Sequence, residues 1–469
     1  MLKGHMSHMH WQKLTFRKVA YSILGIYVLI TCYTGFHLLS RKLQNEFKQK
    51  IIQERIKTLS EIADDPDWNP WGEEFESEQR PLLHHNAPAL WEAQQMEMGA
   101  QRAPVAQRSP LERRVSNRTE STEHIVEIWG KAAIGLYLWE HIIEGILEER
   151  MNGVWSYGEK SLSSISFRFR TGPGVVPSKV PRSTENLLLV LNGRETAKVE
   201  VSKMWLELLV TLPHLHNAAV VLLGNEQCNN SWIHPYMAHN GGLVKVVFLV
   251  YDSPEIDNIH FYQWPLGVAT YRSFPNVKSS DVQIDQRRQY LFNFLGTVYK
   301  NSSRETLLCQ INNSSYTNLG FIKPRREWMP SETEESREEY VQVLSNSELT
   351  FNPVGLNTEC YRIYEAMSLG SVPVIEDVLT PGLCQARSGD SHFFTSPLRL
   401  LKEFNAPVIY VKNWTQEIDL LLHKEATLSD LERRMRRKTL VEWYSGFKMR
   451  MRDRLVNVLL STFFTSSVR

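Results

Sequence analysis

The sequence has almost no excess charge. Its 53 lysines and arginines are met by 52 aspartates and glutamates. No bulk positive field is therefore available to hold a nucleic acid by neutralising phosphates. Cysteine is scarce too: Cys32, Cys228, Cys309, Cys360 and Cys384. None stands in a CxxC spacing, which removes the usual support for a structural zinc site. Cys32 falls in an apolar run, and the other four allow up to two bridges with three pairings open. Long apolar runs are the third shortage. Only Val19–Leu39 is long enough to span a bilayer. By contrast, 13 tryptophans supply many flat apolar faces, suited to a core or to a sugar site.

The apolar run covers 21 residues without Asp, Glu, Lys or Arg. A buried core helix and a cleaved signal peptide are the competing readings. Basic residues flank the run on both sides, it is long for a signal peptide, and no small-x-small site follows. A transmembrane anchor is therefore expected over residues 19–39. Lys3, Lys13, Arg17 and Lys18 precede it without an acid, whereas Glu46 partly offsets Arg41, Lys42, Lys48 and Lys50. This bias favours a cytosolic tail over residues 1–18. Glycosylation triplets occur at Asn117, Asn229, Asn301, Asn312, Asn313 and Asn413, all after the run. Together these describe a type II membrane protein with a large luminal body.

Residues 40–122 read as a stem. Leu43, Phe47, Ile51, Ile52, Ile56, Leu59 and Ile62 recur at helical spacing. They allow either a dimerising coiled coil, hence a homodimer, or a helix lying on the membrane. Asp64 to about Thr122 is rich in Pro, Glu, Gln and Arg without sustained period, as in a flexible segment.

From about Glu123 buried strands alternate with helices. Asn186–Leu191, Ala218–Leu223 and Leu243–Val250 are apolar runs, with a helical stretch over Glu195–Leu212. Tyr290–Leu295 begins a second series, followed by a Gly296-Thr297 turn and a helix through Leu308. Leu319–Lys323, Leu349–Asn352, Ser371–Ile375 and Val408–Val411 complete it. Such runs separated by helices indicate parallel sheets. The expected fold is α/β: two Rossmann-like domains facing a cleft, over residues 123–285 and 286–469. A final basic helix spans Leu428–Leu460, its run Arg433–Lys438 read as a solvated face.

Chemistry concentrates in Leu349–Asp377. A strand ends at Asn352, Pro353 and Gly355 turn the chain, and Asn357 or Thr358 can cap the next helix, which Gly370 ends. A helix N-terminus there favours a diphosphate. Arg362 and Glu365 lie three apart on one helix face. They can serve a leaving diphosphate and a ribose, or merely pair with each other on the surface.

The pattern Pro353-x-Gly355, Cys360-x-Arg362-x-x-Glu365-Ala366 and Gly370-x-x-Pro373-Val374-Ile375 resembles the C-terminal signature of the exostosin-type glycosyltransferases. Cys360 stands where that family usually has serine. The block Tyr290–Gly296, with Arg304 beyond it, is similar to the family's aromatic strand, glycine turn and arginine. The stretches Ile128–His141, Gln263–Arg272 and Asn357–Arg362 carry a closer likeness, to a Golgi xylosyltransferase family. That resemblance implies a GT-B type fold and an inverting transfer of xylose from UDP-xylose. The implied acceptor is ribitol 5-phosphate on the O-mannosyl glycan of α-dystroglycan. It also implies residence in the Golgi membrane with the catalytic part luminal. Its partners would be the UDP-sugar, the anionic glycan and other transferases of the same pathway.

An inverting transfer needs a base for the acceptor hydroxyl and fixed positive charge for the leaving diphosphate. Gly296, Thr297, Arg304, Gly355, Asn357, Thr358, Arg362 and Glu365 are the expected donor residues. The base is expected from the first domain. Asp252 follows a buried strand at its C-terminal end, as does Glu226, and Asp252 ranks first; each could instead be a loop residue or a helix cap. Arg194, after another such strand, is the candidate contact for an acceptor phosphate. The only DxD-like run, Asp64-Asp65-Pro66-Asp67, lies in the stem, so no tightly bound metal or cofactor is expected. Two alternatives stay open: a related transferase acting on another glycan, and a non-catalytic glycan-binding scaffold.

Overall fold

The computed structural model describes residues 123–327, 333–385 and 397–465. The tail, the anchor at 19–39, the stem, the Asp64–Asp67 run and Asn117 lie outside the described residues. Among the described residues no helix is long and apolar enough to cross a membrane.

Two sheets organise the body. The first is built from β1 (His124–Gly130), β2 (Glu148–Arg150), β3 (Trp155–Leu162), β4 (Ile165–Thr171), β5 (Asn186–Asn192), β6 (Asn217–Leu223), β7 (Val244–Val250) and β8 (Phe261–Trp264). Their spatial order is β2-β3-β4-β1-β5-β6-β7-β8. The pairs from β4 to β8 are parallel; β2, β3 and β4 form an antiparallel edge. The near-continuous apolar runs follow from burial on both faces. Leu187, Leu189 and Leu191 of β5 enter one core, with α1 (Thr196–Leu208) over it, while Leu188 and Val190 enter the other. β6 and β7 alternate in the same way.

The second sheet holds β9 (Tyr290–Thr297), β10 (Gly320–Arg325), β11 (Ser347–Asn352), β12 (Val372–Glu376) and β13 (Ile409–Val411). All its pairs are parallel, in the order β10-β9-β11-β12-β13. The direction of winding reverses between β9 and β11. That reversal opens a crevice beyond the C-terminal ends of these strands, where α/β sheets bind ligands. The helices between them are α2 (Ser303–Asn313), α3 (Glu334–Ser345) and α4 (Tyr361–Ser368). α5 (Trp414–Thr427) and α6 (Asp430–Leu459) close the chain.

Several sequence expectations need correction. Gly296 and Thr297 are the last residues of β9, paired with Pro324 and Arg325, and do not form a turn. Strands β1 to β4 and strand β8 are additional to the strands expected; β2 and β3 lack the long apolar runs used to find the others. Four cysteines give one bridge: Cys228–Cys384 joins the domains across 156 residues of sequence, while Cys309 and Cys360 are free.

The basic run of α6 is not a solvated face. Arg437 is 2% exposed and donates to the carbonyls of Ile284 and Gln286, on the segment leading into β9. Arg436 pairs with Glu425 at 2.7 Å, and Arg433 donates to the Glu425 carbonyl. These arginines tie the segment entering the second sheet to α6 and α5. Ser429 and Glu432 form a capping box that starts α6. The helix then returns to the first domain, where the Tyr444 and Tyr137 hydroxyls meet at 3.2 Å and Arg452 reaches Glu144. One apolar core therefore runs through both domains.

Candidate active site

The C-terminal ends of both sheets converge on a cleft of about 300 Å³. The first domain supplies Arg194 after β5, Glu226 after β6 and Tyr251 after β7. The second supplies Gly296 and Thr297 of β9, Arg304 of α2 and the Gly355–Asn357 turn after β11. Arg362 and Glu365 of α4 also line it.

Two arginines dominate the second-domain wall. Arg362 lies with its guanidinium carbon 5.1 Å from the Phe294 ring centroid. Arg304 donates to the Thr297 carbonyl at 2.7 Å. Neither makes an ion pair among the described residues, and the Nε of each is buried without a partner. Burial, and then the charge of Arg362, hold the Arg304 guanidinium below its ordinary value. Two half-buried cations side by side, neither in a salt bridge, form a site that an anion would stabilise. Two glycines make the arrangement possible. A Cβ at Gly296 would lie 2.6 Å from the Arg362 Nη2, and one at Gly355 would lie 2.5 Å from the Arg304 Nη2. The glycines thus admit the arginines, rather than leaving bare backbone for the ligand as their positions in sequence suggest.

The turn is braced from β12. Glu376 accepts the Val354 N–H at 2.8 Å and the Ser303 hydroxyl at 2.8 Å, tying the Pro353–Gly355 turn to the start of α2, beside Arg304. The helix α4 starts later than expected, with Cys360 at its cap. Asn357 and Thr358 are not caps: Asn357 Oδ1 closes its own turn on the Glu359 N–H at 2.8 Å. Thr358 donates its N–H to Thr380 and its hydroxyl to the Val378 carbonyl. It lines a small side cavity and is absent from the wall of the main cleft.

Asp252, expected as the base, lines that side cavity and is absent from the wall of the main cleft. Its Oδ2 accepts the Arg399 N–H and its Oδ1 accepts Arg399 Nη2, each at 2.9 Å, with its side chain 5% exposed. It is a buried interdomain ion pair. Glu226 instead faces the cleft, its Oε1 accepting Arg194 Nη2 at 2.9 Å and the Tyr251 hydroxyl at 3.2 Å.

Glu365 is buried, and burial raises its carboxyl. Its Oε1 accepts the Ala269 N–H at 3.1 Å and its Oε2 the Tyr340 hydroxyl at 2.6 Å. It does not pair with Arg362, so the surface ion pair that their spacing allowed is not formed. Glu359 is a further cleft carboxylate, not singled out from sequence. Its Oε1 accepts the Leu266 N–H at 2.9 Å and the Tyr364 hydroxyl at 2.5 Å, and burial pushes it up to about 7. Both glutamates thereby hold the segment between β8 and β9 against α4.

The "RXYLT1 N-terminal domain" family model matches residues 126–265, and the "RXYLT1 C-terminal domain" model matches residues 271–464. The chain is similar to "Ribitol-5-phosphate xylosyltransferase 1" of Danio rerio, at 42% identity over 96% of this chain and 98% of that protein. The Mus musculus and Homo sapiens proteins of the same name match at 39% and 38% identity, each over 97% of this chain and 99% of theirs. The chain belongs to the ribitol-5-phosphate xylosyltransferase 1 family.

For this member of the family, the cleft unites every expected donor residue except Thr358. It also brings in Tyr271, Arg272, Arg325, Arg337 and Tyr340, which no motif marked. Tyr271 and Arg272 lie on the connection between the sheets, in a stretch quoted for its likeness but given no role. Cys360 replaces the usual serine at the helix cap; burial raises its thiol, which lies 3.6 Å from Asn352 Oδ1. Among the described residues no group of three or more His, Cys, Asp or Glu is placed to hold a metal ion. Asn229, Asn301, Asn312, Asn313 and Asn413 are all exposed. Asn413 also caps α5 through its Oδ1.

Proposed function

We propose that the protein is an inverting, GT-B type glycosyltransferase that moves xylose from UDP-xylose to ribitol 5-phosphate. The observation that carries this reading is the half-buried pair Arg304 and Arg362, each with a buried, unpartnered Nε and no salt bridge among the described residues, at the winding reversal of the second sheet. A nucleoside diphosphate supplies the missing charge. The family's name supplies the sugar and the acceptor.

In this reading Arg304 and Arg362 neutralise the charge that develops on UDP as the glycosidic bond breaks. The first-turn amides of α4 add positive dipole potential. Glu365 retains lone pairs for the ribose hydroxyls. Glu226, in place of Asp252, takes the proton from the acceptor hydroxyl that attacks C1 from the face opposite UDP. Arg194 pairs with the Glu226 carboxylate and offers its remaining N–H groups to the acceptor phosphate. The acceptor context is the O-mannosyl glycan of α-dystroglycan, with the enzyme anchored in the Golgi membrane through residues 19–39. The Cys228–Cys384 bridge supports an oxidising, luminal setting.

A donor screen tests the reading. The purified full-length chain is offered UDP-xylose, UDP-glucuronic acid or UDP-N-acetylglucosamine with a synthetic ribitol 5-phosphate acceptor, and products are weighed by mass spectrometry. Addition of a pentose from UDP-xylose alone is expected. UDP binding without transfer would sink the acceptor assignment, and absence of UDP binding by folded protein would sink the donor site.

A further inference from the structure

The loop after β6 is tied to the second domain at three successive residues. The Glu226 carbonyl accepts Asn357 Nδ2 at 2.7 Å, and the Gln227 carbonyl accepts the Leu383 N–H at 3.0 Å. Cys228 is bonded to Cys384. Contact here is close: a Cβ at Gly382 would lie 2.9 Å from the Gln227 Cβ, and Gly382 has φ +87.

On its own domain the same loop is internally braced. Asn225 Oδ1 accepts the Gln227 N–H at 2.9 Å, the Asn225 N–H donates to Asn230 Oδ1 at 2.8 Å, and Asn225 Nδ2 reaches the Arg194 carbonyl at 2.9 Å. Glu226 therefore travels with the first domain. What its ties across the cleft determine is where that domain stands relative to Arg304 and Arg362. Two of the ties are hydrogen bonds, which exchange with water at little net cost. The third is covalent and does not open in thermal fluctuations.

We propose that the Cys228–Cys384 disulfide is a positioning element for the transfer. It fixes the Glu226 carboxylate at its working separation from the arginine pair on the opposite wall. The inference rests on the reading of Glu226 as the base. Two-domain transferases gain or lose alignment of donor and acceptor through relative domain movement, and a bridge beside the base restricts that movement at its most sensitive point. UDP itself is held by second-domain groups, so its binding does not depend on the bridge.

The test uses the full-length chain. The bridge is opened with a phosphine under conditions that keep the circular-dichroism spectrum native, with Cys360 at the cap of α4 left unmodified. A Cys228→Ala, Cys384→Ala double variant is prepared in parallel. The opened chain is expected to lose kcat by roughly 10- to 100-fold, the scale of a misplacement of about 1 Å. Its UDP affinity should stay within about threefold of the intact chain's by calorimetry, consistent with second-domain binding. Re-oxidation should restore kcat. Unchanged kcat in the opened chain, or a fall in UDP affinity matching the fall in kcat, would overturn the positioning role. A Glu226→Gln variant separates the two readings. If it keeps full kcat, the base assignment fails and the inference with it; if it is inactive while the opened chain is fully active, the positioning role alone fails.

Discussion

Replacing Arg362 by methionine should weaken ligand binding without weakening the fold. The side chain lies over the Phe294 ring, so methionine keeps the packing while removing the guanidinium. A buried cation that has a carboxylate partner behaves differently, since removing it strands the partner and costs about 3–5 kcal/mol. Arg362 makes no salt bridge among the described residues; it donates to the Phe351 carbonyl at 3.4 Å and lies beside the like charge of Arg304. Stability of the ligand-free chain should therefore hold or rise. UDP affinity should move the other way. A charge-assisted hydrogen bond to a phosphate contributes about 1.5–3 kcal/mol, equivalent to roughly 10- to 150-fold in Kd. Arg304→Met should behave alike. Calorimetric titration with UDP and denaturant unfolding of the same preparations give both numbers. Unchanged UDP affinity would refute the donor assignment. Destabilisation by several kcal/mol would show instead that the arginine has a structural partner and that the uncompensated pair is not the signal.

Three further outcomes follow from the same geometry. Asp252→Ala should destabilise the chain by about 3 kcal/mol, the low end for a broken buried pair because Arg399 stays 27% exposed, with kcat of the folded protein within threefold; a kcat loss above about 100-fold in folded protein, typical for a general base, would restore Asp252 to that role. Gly296→Ala should cost under about 1 kcal/mol, because the end of the Arg362 side chain can give way, yet weaken UDP about tenfold through loss of alignment, measured by the same titration. Burial holds the Glu359 carboxyl at about 7, above its ordinary 4.5, so its contribution to stability is fully present below pH 4.5 and is lost as pH rises through 7. That loss amounts to about 3 kcal/mol at roughly 1.4 per pH unit. The difference in unfolding free energy between Glu359→Gln and the parent chain should trace it, and a flat difference from pH 4 to 8 would remove the burial argument.

The central strands were legible because burial on both faces leaves an unbroken apolar run. Asn186–Leu191 and Ala218–Leu223 became β5 and β6 with at most one residue of difference at each end. The edge strands were not legible for the complementary reason. β2 is the exposed triplet Glu148–Arg150, and β3 carries alternating polar residues. Their identity comes from pairing, β2 with β3 and β3 with β4, which is a tertiary fact. The Arg433–Lys438 run misled in a related way. A helix full of arginine ordinarily faces water, but these guanidinium groups satisfy carbonyls and carboxylates of the segments packed against α6, a demand that no local composition expresses.

The candidate site divides along the same line. The turn, the helix and the Arg362–Glu365 spacing are local, and they marked residues that line the second-domain wall of the cleft. Choosing between Asp252 and Glu226 was a different problem, because both follow buried strands at their C-terminal ends. What separates them is Arg399, 147 residues away, which occupies both oxygens of Asp252. Glu226 is bound only through Oε1, by Arg194 and Tyr251, both of which line the cleft themselves. The same long-range logic sorts the signature. Within Asn357–Glu365, Arg362 lines the cleft with its only hydrogen bond among the described residues kept inside the second domain, to the Phe351 carbonyl at 3.4 Å. Asn357, Glu359 and Glu365 each also grip the first domain or the connection between the sheets, through Glu226, Leu266 and Ala269. A motif that lines the cleft and clasps the domains at once cannot be dissected by spacing. Substitutions at its glutamates will therefore move donor affinity and domain placement together, and Arg362 is the position where donor binding can be perturbed alone.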